Sequence, residues 1–392
     1  MLSIKKISDV TFADYEFIII GAGFFGSVIA ERIANDLKKR VLVIDKRNHI
    51  GGNCYSENDT ETGINYHKYG THIFHTSNKA VLTYLQRFME LNGYNHQVLT
   101  TYKNKVYQMP INLETINSYY NLNLRPYEVV DFLKKEAGKE NITEPKNFEE
   151  KAISVIGRDL YEAFIKGYTL KQWQKDPTEL PESIFNRLPF RTNYDESYYF
   201  DRVQGIPVGG YTPIFEKMLD SEKIDIVLNV DYFAIREQLP KNTLLIYSGP
   251  LDKFFDYKYG PLEWRSLRFE HEVASVGDYQ GTAVMNYAEE NVPFTRIHEP
   301  RHLHPELSGQ YTKEKTLLIK EFSLVATPEK EDPYYPVGGE VNRALVEKYL
   351  DEAKKNPNCI IGGRLGDYKY YDMDKVVERA LEVYEKTVKN LK

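Results

Sequence analysis

The sequence predicts a mixed α/β (α+β) fold: a discontinuous Rossmann domain carrying a helical domain and an antiparallel β-sheet domain. Three observations predict it. A strand, a glycine-rich turn, an amphipathic stretch and a second strand follow one another before residue 46. The middle of the chain repeats apolar residues at helical spacing. After Leu251 the texture changes to alternating or β-branched runs broken by Gly, Asn, Asp and Pro.

In chain order, residues 16–20 (EFIII) are a short buried strand, the amphipathic stretch runs to about Lys39, and 41–45 (VLVID) is the second strand of a βαβ unit. Asn78 to about Gly93, 113–137 and 146–175 read as helical, with a polar break at Gly138–Lys146. Runs at 264–275, 282–288, 294–298 and 316–323 read as antiparallel strands. The chain ends with a helix over 340–355, a strand at 358–362 (NCIIG) and an amphipathic helix over 373–390 entered from Asp372. The simplest layout assigns 1–80, 207–250 and 336–392 to the Rossmann domain. Residues 81–96 and 113–190 form the helical domain, and 97–112, 191–206 and 251–335 the sheet domain.

A chain of 392 residues exceeds one ordinary domain, and 42% hydrophobic with 28% charged residues is a globular composition. A formal net charge of −6 argues against a nucleic-acid partner, so any phosphate-bearing ligand must be held by a local arginine cluster. The two cysteines, Cys54 and Cys359, have no metal-ligand spacing, so no metal site is expected and a reducing cytoplasm fits. The N-terminus does not read as a signal peptide, and the apolar run Phe17 to Ala30, broken by three glycines, is too short to span a bilayer. A soluble protein without a membrane partner is expected. Of the 31 tyrosines most are packing residues, but the stacking face and hydroxyl of this side chain suit a sugar-nucleotide cleft.

Gly21-x-Gly23-x-x-Gly26 sits between strand and helix, where each glycine has a mechanical reason: a tight turn, close approach of pyrophosphate, and close helix–strand packing. Phe25 lies inside this turn. Asp45 ends the second strand, 19 residues beyond Gly26, where a carboxylate accepts ribose hydroxyls. Lys46-Arg47 and then Gly51-Gly52-Asn53 follow. An acidic residue, an arginine two further on and a glycine pair resembles the signature of FAD proteins related to glutathione reductase and amine oxidases. The segment Gly362-Gly363-Arg364 leading to Asp372-Met373 agrees, because an Asp at the start of the last helix resembles the group that binds the ribityl chain in such proteins. Asp372 also fits a plain helix cap.

Further segments narrow the reading. They include GGNCY (51–55), YGTHIFHT (69–76), PINLETIN (110–117), GYTLKQW (167–173), RLPFR (187–191), QGIPVGGYT (204–212), GDYQGTAVMNY (277–287), FTRIHE (294–299), YYP (334–336) and GRLGDYKYYDMD (363–374). In this order, after an N-terminal extension of about a dozen residues, they resemble the UDP-galactopyranose mutase family from end to end. The resemblance implies reversible ring contraction of UDP-galactopyranose to UDP-galactofuranose, with reduced FAD as covalent nucleophile at the anomeric carbon. It implies Arg187 and Arg296 as the diphosphate arginines, Tyr168 stacking on uracil, and Trp173 on a mobile lid. Tyr198, Tyr334 and Tyr370 match diphosphate-bonding tyrosines, His72 a histidine beside the flavin, and Asn286 and Glu321 residues near the sugar. Arg265 is a weaker match on the substrate side, and Arg364 resembles a flavin contact. The family further implies an external reductant such as NAD(P)H and, by analogy alone, a homodimer.

Thr71, where many members have proline, and Pro300-Arg301-His302 depart from the family pattern. They leave open whether UDP-N-acetylgalactose is also a substrate. Two rival readings share the Rossmann turn, the glycine pair and the C-terminal Asp: an FAD-dependent amine-oxidase-like or carotenoid-type oxidoreductase, and a binding module without turnover. The arginine pair and GYTLKQW separate the mutase from the oxidoreductase, which has no reason to clamp a diphosphate, and the intact arginines and aromatics argue against the flavin- or nucleotide-binding module.

Overall fold

The computed structural model describes residues 1–390, and of Arg187 the backbone alone. Its first layer is a six-stranded parallel sheet in the order Ser3–Ile4, Ile224–Val227, Val41–Ile44, Phe17–Ile20, Leu244–Tyr247, Cys359–Ile361. Every residue of Phe17–Ile20 and Val41–Ile44 is buried, as central parallel strands covered on both faces must be. Helices Phe24–Arg32, Thr212–Leu219 and Met373–Lys386 share one core with this sheet, to which they bring Val28, Ile29, Phe215, Met218, Val377 and Ala380. The last of these helices lies at the far end of the sequence, so both ends of the chain close a single layer.

The N-terminal extension is part of this layer. Ser3–Ile4 pairs in parallel with Asp225–Ile226. The Asp225 carboxylate accepts from Ser3 Oγ at 2.6 Å, Tyr15 OH at 2.7 Å and Arg40 Nη2 at 2.9 Å, with Lys5 Nζ at 3.1 Å. Burial would raise its pKa, but these partners outweigh burial and hold it at about 2.

The middle of the chain is helical, in shorter pieces than its periodicity implies. The stretch 113–137 divides into Leu113–Tyr120 and Pro126–Gly138, because Asn121 takes a left-handed conformation (φ 52°) and Pro126 restarts the helix. The stretch 146–175 is interrupted at Gly157 (φ 80°), after Phe148–Ile156. Asn112 and Asn147 cap two of these helices through their side-chain oxygens. Leu113, Ile116, Leu133, Ile153, Ile156 and Phe164 make a separate core. The helix expected over 78–93 is confined to Lys79–Leu85, since Leu91 bridges to Pro207 and Asn92 serves the loop around Ile206.

The second sheet runs Tyr335–Pro336, Trp264–Ala274, Thr316–Ala326, Arg296–His298, Val284–Tyr287, Val98–Tyr102, Lys105–Met109. Its pairs are antiparallel except Val284–Tyr287 with Val98–Tyr102, which run parallel, so it is a mixed sheet rather than a purely antiparallel one. The Val98–Tyr102/Lys105–Met109 hairpin comes from before the helical region, and its direction is set by that hairpin rather than by a turn from Val284–Tyr287. Trp264–Ala274 and Thr316–Ala326 pair along their whole lengths and carry Arg265 and Glu321. No helix among the described residues is long and apolar enough to cross a membrane.

Candidate active site

A groove of about 460 Å³ opens over the carboxyl ends of the parallel strands, the usual ligand position in such sheets. Gly21, Gly23, Phe25, Asp45, Gly52 and Asn53 line it from the N-terminal side, Arg364 and Met373 from the C-terminal side. Gly21 sits at φ 103°, a conformation that glycine adopts without strain, and a Cβ on Gly26 would lie 2.0 Å from the Gly21 carbonyl oxygen. A Cβ on Gly52 would stand 3.0 Å from the Cα of Gly23, so the glycine turn and the glycine pair touch backbone to backbone. The first-turn N–H groups of the Phe24–Arg32 helix have no acceptor within the helix itself, which suits an anionic group. These features fit a dinucleotide cofactor such as FAD.

Most of the cofactor residues expected from the sequence line this groove, while Gly26 and Asp372 are not among its lining residues. Asp45 accepts the Ala22 N–H at 2.8 Å on one oxygen and the Arg47 N–H at 2.9 Å on the other, tying the turn to the following loop. Each oxygen keeps a second lone-pair direction for a ribose hydroxyl. Lys46 and Arg47 pair with Asp332 at 2.5 and 3.1 Å, and the Arg47 guanidinium lies 4.0 Å over the Tyr69 ring. Residues 327–333, which the sequence did not mark, thereby form one wall of the groove. Phe25 packs against Gly362, where a Cβ would fall 2.4 Å from its ring. Asp372 precedes the Met373–Lys386 helix and is exposed, and its side chain makes no capping hydrogen bond.

Beyond Arg364, joined to it through the Tyr335 and Tyr370 rings, lies a cluster of polar side chains built on the second sheet. Arg296 and Glu321 are directly opposite on neighbouring strands. Arg296 Nε stands 3.2 Å from Glu321 Oε1, an ion pair not aligned as a hydrogen bond, while its Nη2 donates to the Tyr168 hydroxyl. His298 Nε2 is 3.0 Å from Glu321 Oε2. Burial would raise the Glu321 carboxyl, but Arg296 and His298 hold it at about 2. Arg296, although desolvated, is held well above the ordinary arginine value by Glu321. Tyr370 and Tyr335 stack at 5.2 Å, with the Arg364 guanidinium 5.6 and 5.5 Å from their rings. Tyr198, half-buried, packs edge-on to His96 and Tyr199 and acts electrostatically on Arg296.

His72 lines the groove near Arg364, and its Nδ1 lies 2.6 Å from the Gly70 carbonyl oxygen, which only accepts. The ring proton therefore sits on Nδ1, and burial together with Arg364 lowers its pKa to about 4. At neutral pH Nε2 is a lone-pair acceptor. Arg265 is 5% exposed, none of its guanidinium nitrogens has a partner among the described residues, and burial pulls it down to about 10. The side-chain oxygen of Asn286 is likewise buried without a partner. Buried groups in this condition are suited to ligands.

Two expected residues stand apart. Tyr334 is buried and acts with Arg47, Asp332 and Tyr69 rather than with the stacked pair, so of the two tyrosines in YYP it is Tyr335 that faces Arg296 and Glu321. Trp173 is half-buried against the core of the helical region. The Arg187 side chain lies outside the described residues.

Comparison with known proteins decides the family. The model of the UDP-galactopyranose mutase family matches residues 163–370, and that of an NAD(P)-binding Rossmann-like domain matches 19–88. A probable UDP-galactopyranose mutase of Klebsiella pneumoniae is 44% identical over 365 residues, covering 93% of this chain and 92% of that protein. The chain belongs to the UDP-galactopyranose mutase family. A dTDP-fucopyranose mutase of Escherichia coli is 40% identical over 382 residues, covering 96% of this chain and 99% of that one. The solved structure of a reduced UDP-galactopyranose mutase shares the fold, with TM-score 0.72 at 16% identity over 96% of this chain and 94% of that chain. A putrescine oxidase shares it more loosely, TM-score 0.54 at 11% identity over 95% and 99%. The fold is therefore common to mutases and amine oxidases, and the family match separates them.

Membership makes this chain an isomerase and a flavoprotein, and the residues of the groove fit FAD. The charged trio Asp278, Glu299 and His302 lies outside the cleft. Glu299 accepts the Tyr279 and Gln280 N–H groups and the Thr316 hydroxyl, so the trio closes a surface loop through its own hydrogen bonds.

Proposed function

We propose that the chain interconverts the pyranose and furanose forms of a nucleoside-diphosphate sugar, UDP-galactose first among them. The observation that carries this reading is Arg296, a guanidinium held by Glu321 and Tyr168 and coupled electrostatically to Tyr335, which stacks on Tyr370 beside the Arg364 that lines the groove. A cation fixed there meets the charge that develops on a departing diphosphate, and costs no reorganisation during the reaction. Bound and reduced, the flavin supplies an electron-rich nitrogen to the anomeric carbon as the nucleoside diphosphate leaves.

The residues of the chain divide the remaining work. Arg296 and Arg187 clamp the diphosphate, with hydroxyls from Tyr198, Tyr335 and Tyr370. Tyr168 offers its ring to the base, and Trp173 shapes the pocket beside it. Arg364 neutralises charge at the flavin edge, while His72 accepts a proton or hydrogen bond through Nε2. Asn286 and Arg265 meet the sugar side. The reading needs an external two-electron donor such as NAD(P)H.

One observation favours a second reading. The Escherichia coli dTDP-fucopyranose mutase is matched almost end to end, so a dTDP-6-deoxysugar is the alternative substrate. The test is product analysis by chromatography with dithionite-reduced protein and UDP-galactose, UDP-N-acetylgalactose and dTDP-fucopyranose side by side. We expect a furanose product from at least one of them, and only after reduction. Equal turnover of oxidised protein overturns the role given to reduced flavin; no ring contraction of any of the three overturns the function.

A further inference from the structure

We propose that His298 is a positioning residue that acts through Glu321 to aim Arg296, and so sets the affinity of the cleft for a diphosphate. The inference rests on the nucleotide-sugar reading above and extends it to a residue with no contact to substrate.

The geometry is local. Arg296 and His298 are two apart on one strand and project to the same face, while Glu321 faces Arg296 from the neighbouring strand. The carboxylate of Glu321 then divides its oxygens. Oε1 takes the Arg296 side, with the Thr295 hydroxyl also at 3.3 Å, and Oε2 takes His298 Nε2 at 3.0 Å. His298 is 2% exposed and Glu321 7%, so water cannot replace either partner cheaply.

The terminal torsion of a glutamate is broad and roughly two-fold, so a carboxylate held at one oxygen is poorly oriented. Arg296 Nε fixes the distance of Oε1 but not the plane of the carboxylate, because that contact is an ion pair without hydrogen-bond alignment. His298 supplies the second fixed point. With the carboxylate plane fixed by Thr295 and His298, Oε1 stays at ion-pair distance from Arg296 Nε while the Tyr168 hydroxyl holds Nη2, and these two points together orient the guanidinium.

The experiment uses FAD-loaded full-length protein and calorimetric titration with inorganic pyrophosphate, UDP and uridine. His298→Leu, which cannot donate, is expected to weaken pyrophosphate and UDP at least about tenfold while uridine stays within about twofold. His298→Gln, whose amide reaches Glu321, should recover most of the loss, and His298→Asn, too short to reach, should not. His298→Asn therefore serves if the leucine variant fails to load FAD. In a Glu321→Gln background His298→Leu should add little, because the path runs through that carboxylate. Unchanged pyrophosphate affinity in His298→Leu, or an equal loss for uridine, overturns the inference alone. No pyrophosphate or UDP binding by the unsubstituted protein overturns it together with the diphosphate reading of the cleft.

Discussion

Glu321 gives the cleft an apparent contradiction, since a carboxylate beside Arg296 subtracts positive charge from a site meant for an anion. The loss is offset by orientation, and the pair persists wherever both groups stay ionised. Glu321 has its pKa lowered, so the stability it contributes is present above the ordinary carboxylate value and is lost only as pH falls toward about 2. UDP binding should accordingly show no step attributable to Glu321 between pH 5 and 9, which titration calorimetry across that range will check. Arg296→Ala removes a charge-assisted contact worth about 1.5–3 kcal/mol, so the Kd for UDP should rise roughly ten- to a hundredfold while the FAD absorbance is kept. His72 carries the opposite lesson. Its folded pKa is lowered to about 4, so the protein loses stability as pH falls from 6.5 toward 4, where the unfolded chain binds the proton first. That loss is on the order of 3 kcal/mol. His72→Gln should flatten this acid limb in urea unfolding, and an unchanged limb would mean that the ring is solvated.

At the scale of elements, what could be read in the sequence was what is periodic or chemically unusual. Phe17–Ile20 with its glycine turn, the Trp264–Ala274 and Thr316–Ala326 strands and the final helix all stand close to their expected places. Pairing and facing were not legible, because they depend on partners far away in the chain. Nothing in YYP says which tyrosine points to the cleft, since neighbours on an extended segment face opposite ways and the register comes from Trp264 and Arg265. The parallel match of Val284–Tyr287 with Val98–Tyr102 is equally non-local. Ser3–Ile4 is too short to show alternation, and its place depends on the buried Asp225. Asp225→Ala should cost about 2–3 kcal/mol of stability and speed amide exchange in residues 3–5 and 224–227, because it leaves a hydroxyl cluster and two cations without their anion. The Gly167–Trp173 helix offers a further test. A Cβ on Gly167 would fall 2.3 Å from the Ala288 carbonyl oxygen, so Gly167→Ala must push the Tyr168 helix off the sheet. UDP affinity should fall and FAD content should not.

Over the whole molecule, the groove is assembled from residues as far apart as Gly21 and Met373, with a third wall from 327–333 tied down by Lys46 and Arg47. Ligand binding to such a groove stabilises the fold as a unit. FAD at a hundred times its Kd should add about 2.7 kcal/mol to unfolding, read as a rise in Tm and as protease protection around residues 51–54 and 327–333. Asp332→Asn should release FAD faster by stopped-flow fluorescence, with the secondary structure intact. The same arrangement bears on how the protein is made. A ribosome that has delivered the glycine turn has delivered an open shelf, because the edge strand Cys359–Ile361 and the Arg364 and Met373 contacts are still to be translated. Flavin capture is thus deferred until residues 359–373 have been made, and nascent chains stalled before that stretch would emerge colourless.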